Sequence, residues 1–467
     1  MTHLIVIGGG IAGLSAAYYA SKNENIQVTL LESDSRWGGK ITTDRVEFED
    51  SQFIIEGGPD AFLASKPWGV ALCQELDLSE RLQETNPHKK DTYVLHNNRL
   101  LPLPDGLTMM IPGKINAILQ TRLLSWLSKA RLGLDFFLPA KSFHGDESLD
   151  SFVSRRLGRE AYENLIEPLM TGIYAGDGNK LSLAATFPQL RELERKYGSL
   201  TRGALEMRKQ ITQGSRSAFL TPKTGLLEIV EKLIEHLNAN RVSLCLNTRV
   251  NSVQWFTHNW QVTLESGEIL MANGVILATP AYNAGQILSS LDSSLALDLE
   301  SIPYASTATI SLAYRQSDIP RELDGYGYVI PRREGRRALA CTWTSTKFPH
   351  RAPQGYGLIR VFIGRADQEL LWKEEELLIL AKEELNLTLG ITADPFLFRV
   401  FIWEKAMPQY NLGHPEILQR IDAALNERAG LALAGNGYRG IGIPDCIHSG
   451  KLAVEKVMEA IGLVSLL

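Results

Sequence analysis

A short apolar run, Leu4-Ile5-Val6-Ile7, passes directly into Gly8-Gly9-Gly10-Ile11-Ala12-Gly13, and Leu14 to Ala20 then reads as a helix. No other stretch constrains the chain as much. Gly8, Gly10 and Gly13 stand at the GxGxxG spacing, which supplies a tight turn, a place where backbone meets a diphosphate, and a close helix–strand contact. The helix N-terminus, with Ile11 and Ala12 in its first turn, offers unpaired N–H groups and partial positive charge to that diphosphate. A second strand-like run, Ile26 to Leu31, ends in Glu32, about 20 residues beyond the last glycine, where an acid takes a ribose 2′-OH. The same acid repels a 2′-phosphate, so NADP is disfavoured. Ser33 to Lys40 then adds two glycines, Gly38 and Gly39, and two cations, Arg36 and Lys40, suited to closing around the same diphosphate.

The segment from Glu32 to Gly39 resembles the E-x3-R-x-G-G extension of FAD-containing oxidases of the amine oxidase and desaturase type, which favours FAD over NAD. At 467 residues the chain is long enough for two or three domains. A net charge of −5 gives no global attraction to nucleic acid. Cys73, Cys245, Cys341 and Cys446 are scattered, which fits a reduced intracellular protein without metal or disulfide roles. The first strand begins almost at Met1, leaving no room for a cleavable signal. No run approaches a membrane span, so a cytoplasmic enzyme is expected.

Further along, Gly57-Gly58-Pro59 makes a turn whose backbone can lie flat against something planar. Tyr93 to Leu103 suggests a hairpin around Asn97-Asn98. The chain to about Leu220 is then mostly helical and mildly basic, and its apolar face admits contact with an anionic membrane surface. Glu163 to Asp177 reads as a helix interrupted by Pro168, followed by an irregular turn in which Gly172 and Gly176 bracket Ile173-Tyr174-Ala175, a candidate ligand-facing loop. Strands follow at Val242 to Leu246 and Val250 to Trp255, and then Trp260 to Leu264 and Gly274 to Ala278 around a Ser266-Gly267 hairpin. Four more, between Ala305 and Gly364, read as one antiparallel sheet forming a cavity wall, and Asp367 to Leu387 as a helix. At the close, Leu431 to Ala434 is a buried strand, Gly435 to Ile443 a second glycine-rich turn, and Asp445 to Ile461 a helix entered through Pro444. Strand, glycines and helix N-terminus are thus repeated at both ends, as one long cofactor spanning them would require.

The stretches 163–189, 340–353 (ACTWTSTKFPHRAP), 407–414 (MPQYNLGH) and 440–450 (GIGIPDCIHSG) resemble porphyrinogen oxidases, most of all the bacterial branch that converts coproporphyrinogen III to coproporphyrin III, kin of protoporphyrinogen IX oxidase. The resemblance runs the length of the chain. It implies an α/β fold with a Rossmann-like (GR2-type) FAD domain in discontinuous segments, 1–66, 221–285 and 406–467. A mixed-sheet substrate domain at 286–405 and a helical domain at 67–220 complete it. It further implies FAD contacts at Gly8, Gly10, Ile11, Ala12, Gly13, Glu32, Ser33, Arg36, Gly38, Gly39, Lys40, Gly57, Gly58, Pro59, Val250, Gly435, Gly440, Ile441, Gly442 and Ile443. Porphyrinogen is implied against Ile173, Tyr174, Ala175 and Gly176, with the Gly176 carbonyl facing the ring N–H groups. Where eukaryotic relatives use an arginine for a propionate, this chain offers Lys66.

The implied reaction is an oxygen-dependent six-electron oxidation that forms hydrogen peroxide in haem biosynthesis. It needs positioning and water exclusion more than a side-chain base, so no catalytic acid–base residue is assigned. A tetracarboxylate substrate needs a basic mouth, for which Lys66, Lys89, Lys90 and Arg99 are candidates. The expected partners are porphyrinogen and dioxygen, with peripheral membrane contact and transient contact with the next haem-pathway enzyme both open. Three other readings compete. One is a flavin amine oxidase with Tyr438 and Trp403 as an aromatic cage. Another is a carotenoid desaturase, which a mean hydropathy of −0.08 disfavours. The third is a flavoprotein that keeps FAD only for structure.

Overall fold

The computed structural model describes residues 2–108, 110–141, 145–210, 217–368 and 373–463. The opening run forms strand β1, Thr2–Ile7, the glycine turn leads into helix α1, Ile11–Ser21, and β2 is Ile26–Leu31. Three later segments return to them: β3, Ser243–Cys245, β4, Gly274–Leu277, and β5, Leu431–Leu433. All pair in parallel, in the order β3-β2-β1-β4-β5. This is the doubly wound arrangement, whose ligands lie at the carboxyl ends of the strands. Leu4 to Ile7 of β1 and the whole of β4 are buried without a polar side chain because helices or sheets cover both faces.

α1 is buried along nearly its whole length, between the sheet and helix α2, Ile443–Ala460. Small residues allow this depth. A Cβ on Gly13 would stand 1.8 Å from the Gly8 carbonyl oxygen, and one on Gly450 of α2 2.3 Å from that of Ala12. The two ends of the chain are therefore packed backbone to backbone.

A second, seven-stranded sheet runs in the order Leu397–Pro408, Tyr304–Arg315, Tyr356–Ile363, Ala338–Thr342, Gly325–Val329, Asp91–His96, Arg99–Pro102. Helix Glu374–Leu389 covers one face through Leu377, Ala381, Leu385 and Leu389. A helical core built on Phe152, Val153, Leu165, Ile166, Met170 and Tyr174 completes the molecule.

Several expectations are corrected. The four strands expected between Ala305 and Gly364 do pair antiparallel, and the sheet as a whole is mixed because Gly325–Val329 also pairs in parallel with Asp91–His96. The Asn97-Asn98 hairpin forms, with both residues at positive φ, but it extends this sheet instead of belonging to the helical segment. Across Ser266-Gly267, Trp260–Leu264 pairs with Ile269–Ala272, not with β4, which lies beside β1. Ser293–Glu300, expected with the substrate segment, packs with residues flanking β4 and β5. The helix expected from Asp367 starts at Glu374, and residues 369–372 lie outside those described. The helical run from 159 to 174 is irregular just before Pro168, which stands in the first turn of its last stretch, Glu167–Tyr174. A wide π-turn at Tyr162–Ile166 precedes it and absorbs the missing proline N–H.

Candidate cofactor and substrate site

The opening turn is held in shape from several sides. Gly8, at φ 109°, donates to the Leu31 carbonyl at 2.7 Å. Gly9 N–H donates to Glu32 Oε2 at 2.6 Å, and Asp34 N–H to Oε1 at 2.8 Å. The Ser33 hydroxyl donates to the same Oε1. Glu32 therefore fixes the turn as well as offering an acid at the sheet edge. Gly38 N–H donates to Gly9 O, which lays the Gly38-Gly39 stretch against Gly10. Arg36 donates to the Trp37, Gly39 and Ile41 carbonyls and so shapes this loop. Val250 opens strand Val250–Phe256. Two residues earlier, Thr248 N–H donates to the Glu32 carbonyl, which brings Val250 to the same sheet edge.

The Gly57–Pro59 strap is clamped through its carbonyls. Gly57 O accepts from Thr309 Oγ1 at 2.7 Å, Trp403 Nε1 at 2.8 Å and Arg360 Nη2 at 3.2 Å, and Gly58 O also accepts from Arg360. Beside it, Lys347 pairs with Asp60 at 2.8 Å, and Arg351 donates to Glu56 Oε1, Asp60 O and Thr221 Oγ1. Burial alone would raise the Asp60 carboxyl, but Lys347, Arg351 and Arg360 outweigh it and hold it at about 2. Burial pulls Arg360 down to about 10, against the pull of Asp60 and Glu56. These cations escaped the sequence reading. A lone arginine inside the apolar strand YGLIRVFI was the available signal, since a buried charge must find a partner.

The closing turn is fixed at three points. Gly435 N–H donates to Ser449 Oγ, Tyr410 Oη donates to Asn436 O at 2.6 Å, and the His414 ring bonds Tyr438 O at 2.9 Å. Gly440 stands at φ 86°, Ile441 packs against the helical core, and Gly442 precedes the first turn of α2 at Ile443.

Lys66 is held in an ion pair. Its ammonium lies 2.6 Å from both Asp445 oxygens, in the first turn of α2. Lys89 pairs with Glu322, while Lys90 and Arg99 are exposed. The expected substrate loop is also corrected. Gly172 to Tyr174 are helical, and the turn begins at Ala175, at φ 51°. Tyr174 O accepts from Gln409 Nε2, Ala175 O from Ala366 N–H, and Gly176 O from Arg332 Nη2 at 3.0 Å. The Gly176 carbonyl therefore already serves a protein donor. Ile173 remains 43% exposed beside this corner, apolar surface that a flat macrocycle would cover. Of the two residues offered as an amine cage, Trp403 donates its N–H to Gly57 O and Tyr438 is buried.

The arrangement fits FAD. The N-termini of α1 and α2 meet at the carboxyl edge of one sheet, that of α1 without a side-chain cap and that of α2 with Asp445 Oδ2 accepting from Gly442 N–H at 3.1 Å. Open space lies where a Cβ would stand on Gly10 and on Gly435.

The model of flavin containing amine oxidoreductases matches residues 11–458. The chain is similar to the coproporphyrinogen III oxidase of Bacillus subtilis (strain 168), 37% identical over 98% of both chains. It is also similar to the chloroplastic protoporphyrinogen oxidase of Nicotiana tabacum, 31% identical over 99% of this chain and 86% of that one. Among solved structures, a protein of Exiguobacterium sp. 255-15, described provisionally as a protoporphyrinogen oxidase, superposes with a TM-score of 0.85 at 32% identity, covering 98% of both chains.

Proposed function

The chain belongs to the flavin containing amine oxidoreductase family, and from that premise we propose that it oxidises coproporphyrinogen III to coproporphyrin III, with protoporphyrinogen IX as a second substrate. One observation carries the reading. Consecutive residues Gln409 and Tyr410 tie the Tyr174–Gly176 corner to the closing glycine turn, so a ring seated between corner and cradle has fixed walls on both sides. Bound FAD supplies the hydride acceptor and passes electrons to dioxygen, forming hydrogen peroxide. The protein supplies placement: the clamped Gly57–Pro59 strap, the Ile173 surface and the Glu32 acid each hold one part of the assembly.

Exposed Trp126 (73%), Leu127 (85%) and Phe137 (84%), with Ile115, Leu119 and Leu134 nearby, support peripheral contact with a lipid surface. Lys114 and Arg122 flank them, favouring anionic lipid. Among the described residues no helix is long and apolar enough to cross a membrane.

The test is an aerobic assay on coproporphyrinogen III and protoporphyrinogen IX side by side, following porphyrin fluorescence, peroxide and bound-flavin absorbance. Faster porphyrin formation from coproporphyrinogen is expected. Faster turnover of protoporphyrinogen would reverse the preference, and turnover of neither would end the reading.

A further inference from the structure

Helix Glu167–Tyr174 ends at Ala175, whose φ of 51° lies in the left-handed region that a residue with a side chain seldom enters. The turn carries three successive carbonyls, and each is taken from the end of a different strand of the large sheet. Tyr174 O accepts from Gln409 Nε2 at 2.8 Å, just past strand Leu397–Pro408. Ala175 O accepts from Ala366 N–H at 2.8 Å, shortly past Tyr356–Ile363. Gly176 O accepts from Arg332 Nη2 at 3.0 Å, shortly past Gly325–Val329.

Of the three donors only Arg332 is charged, and a charge-assisted bond is about twice as strong as a neutral one. Its own place is fixed from the other end of the helix. The Arg332 backbone N–H donates to Glu167 Oε2 at 3.2 Å, its Nε lies 3.6 Å from Glu167 Oε1, and its Nη1 pairs with Asp367. Glu167 is buried, accepts from Thr171 Oγ1 at 2.7 Å and faces Arg365 Nη1 at 3.4 Å. Arg332 therefore links the first turn of the helix to the turn past its last. With these carbonyls drawn into the protein and Tyr174 and Ala175 buried, the corner leaves the Ile173 side chain exposed.

Resting on the porphyrinogen oxidase reading above, we propose that Arg332 is a positioning residue for the oxidation. It holds the Gly176 carbonyl away from the pyrrole N–H groups, so that the macrocycle lies on Ile173 at the distance hydride transfer requires. Without it the carbonyl is free to take a pyrrole N–H and draw the ring out of line, bound as tightly but placed worse. A displacement of about 1 Å can cost about a hundredfold in rate.

Anaerobic mixing of the FAD-loaded protein with coproporphyrinogen III, followed by flavin bleaching, separates placement from binding. Arg332→Met should lower the limiting rate of bleaching by about tenfold or more. The half-saturating substrate concentration should stay the same or fall, and dioxygen should reoxidise the reduced protein as fast as in the wild type. Arg332→Lys, which keeps the charge and a donor toward Gly176, should recover most of the rate. Asp367→Asn, at an exposed partner, should give a smaller loss of the same kind, and it carries the test if the methionine variant fails to fold. A raised half-saturating concentration with an unchanged limiting rate overturns the proposal, assigning Arg332 to direct substrate binding. Equal losses in bleaching and reoxidation, flavin lost from a folded Arg332→Met protein, or no change at all also overturn it. Wild-type protein bleached by neither coproporphyrinogen III nor protoporphyrinogen IX would instead defeat the oxidase reading itself.

Discussion

Glu32 and Gly58 show how single residues govern the cradle. The Glu32 carboxylate accepts from Gly9 and Asp34 N–H as well as standing at the ribose position. Replacing it with Gln weakens two charge-assisted bonds, and FAD affinity should fall about tenfold, measured by flavin fluorescence on adding FAD to stripped protein. Gly58 acts by size. An added methyl would meet Lys40 backbone at 1.9 Å, where no flexible side chain can yield. Gly58→Ala should therefore push the strap out of place, lowering the melting temperature of the flavin-free protein and losing bound flavin, read as a higher ratio of protein to flavin absorbance. Glu32 is legible in the sequence because its distance from the glycines is local. The Gly58 contact is not, since it depends on where a different turn of the chain comes to rest.

Among the elements, the layer joining strand Ser51–Glu56 to Tyr356–Ile363 carries a dense set of charges. Arg351 is fully buried against Glu56. Arg351→Met would strand that carboxylate and should cost about 3–5 kcal/mol in urea denaturation. Adding Glu56→Gln should recover much of the loss. The same layer predicts acid sensitivity. His350 is driven down to about 4 by burial and by Arg351, so the unfolded chain binds a proton that the fold resists, and stability falls as pH drops from 6.5 to about 4. Asp60, held at about 2, contributes about 2 kcal/mol above its ordinary 3.8 that is lost as pH falls toward 2. Melting curves across this range should show both limbs, His350→Gln removing the upper and Asp60→Asn the lower. None of these partners could be paired from sequence: Lys347 and Asp60 lie 287 positions apart.

For the whole molecule, the exposed apolar patch makes the clearest expectation. The triple change Trp126→Ser, Leu127→Ser, Phe137→Ser should abolish co-sedimentation with anionic vesicles and leave flavin content unchanged. Equal sedimentation of both proteins would assign the patch another role. The glycine turns, the Glu32 acid, the Asn97-Asn98 hairpin and the strand–turn–helix units at both ends were determined by sequence alone, because each rests on φ preference or on residues a few positions apart. The tertiary structure decided what those units meet. It set Ile269–Ala272 against Trp260–Leu264, drew the 91–102 hairpin into the large sheet, spent Lys66 on Asp445, and gave the Gly176 carbonyl to Arg332, 156 residues away. A strand edge, a carbonyl or a buried charge must be satisfied by some partner, but the choice falls to whichever group the packed core brings within reach, and no local pattern records it.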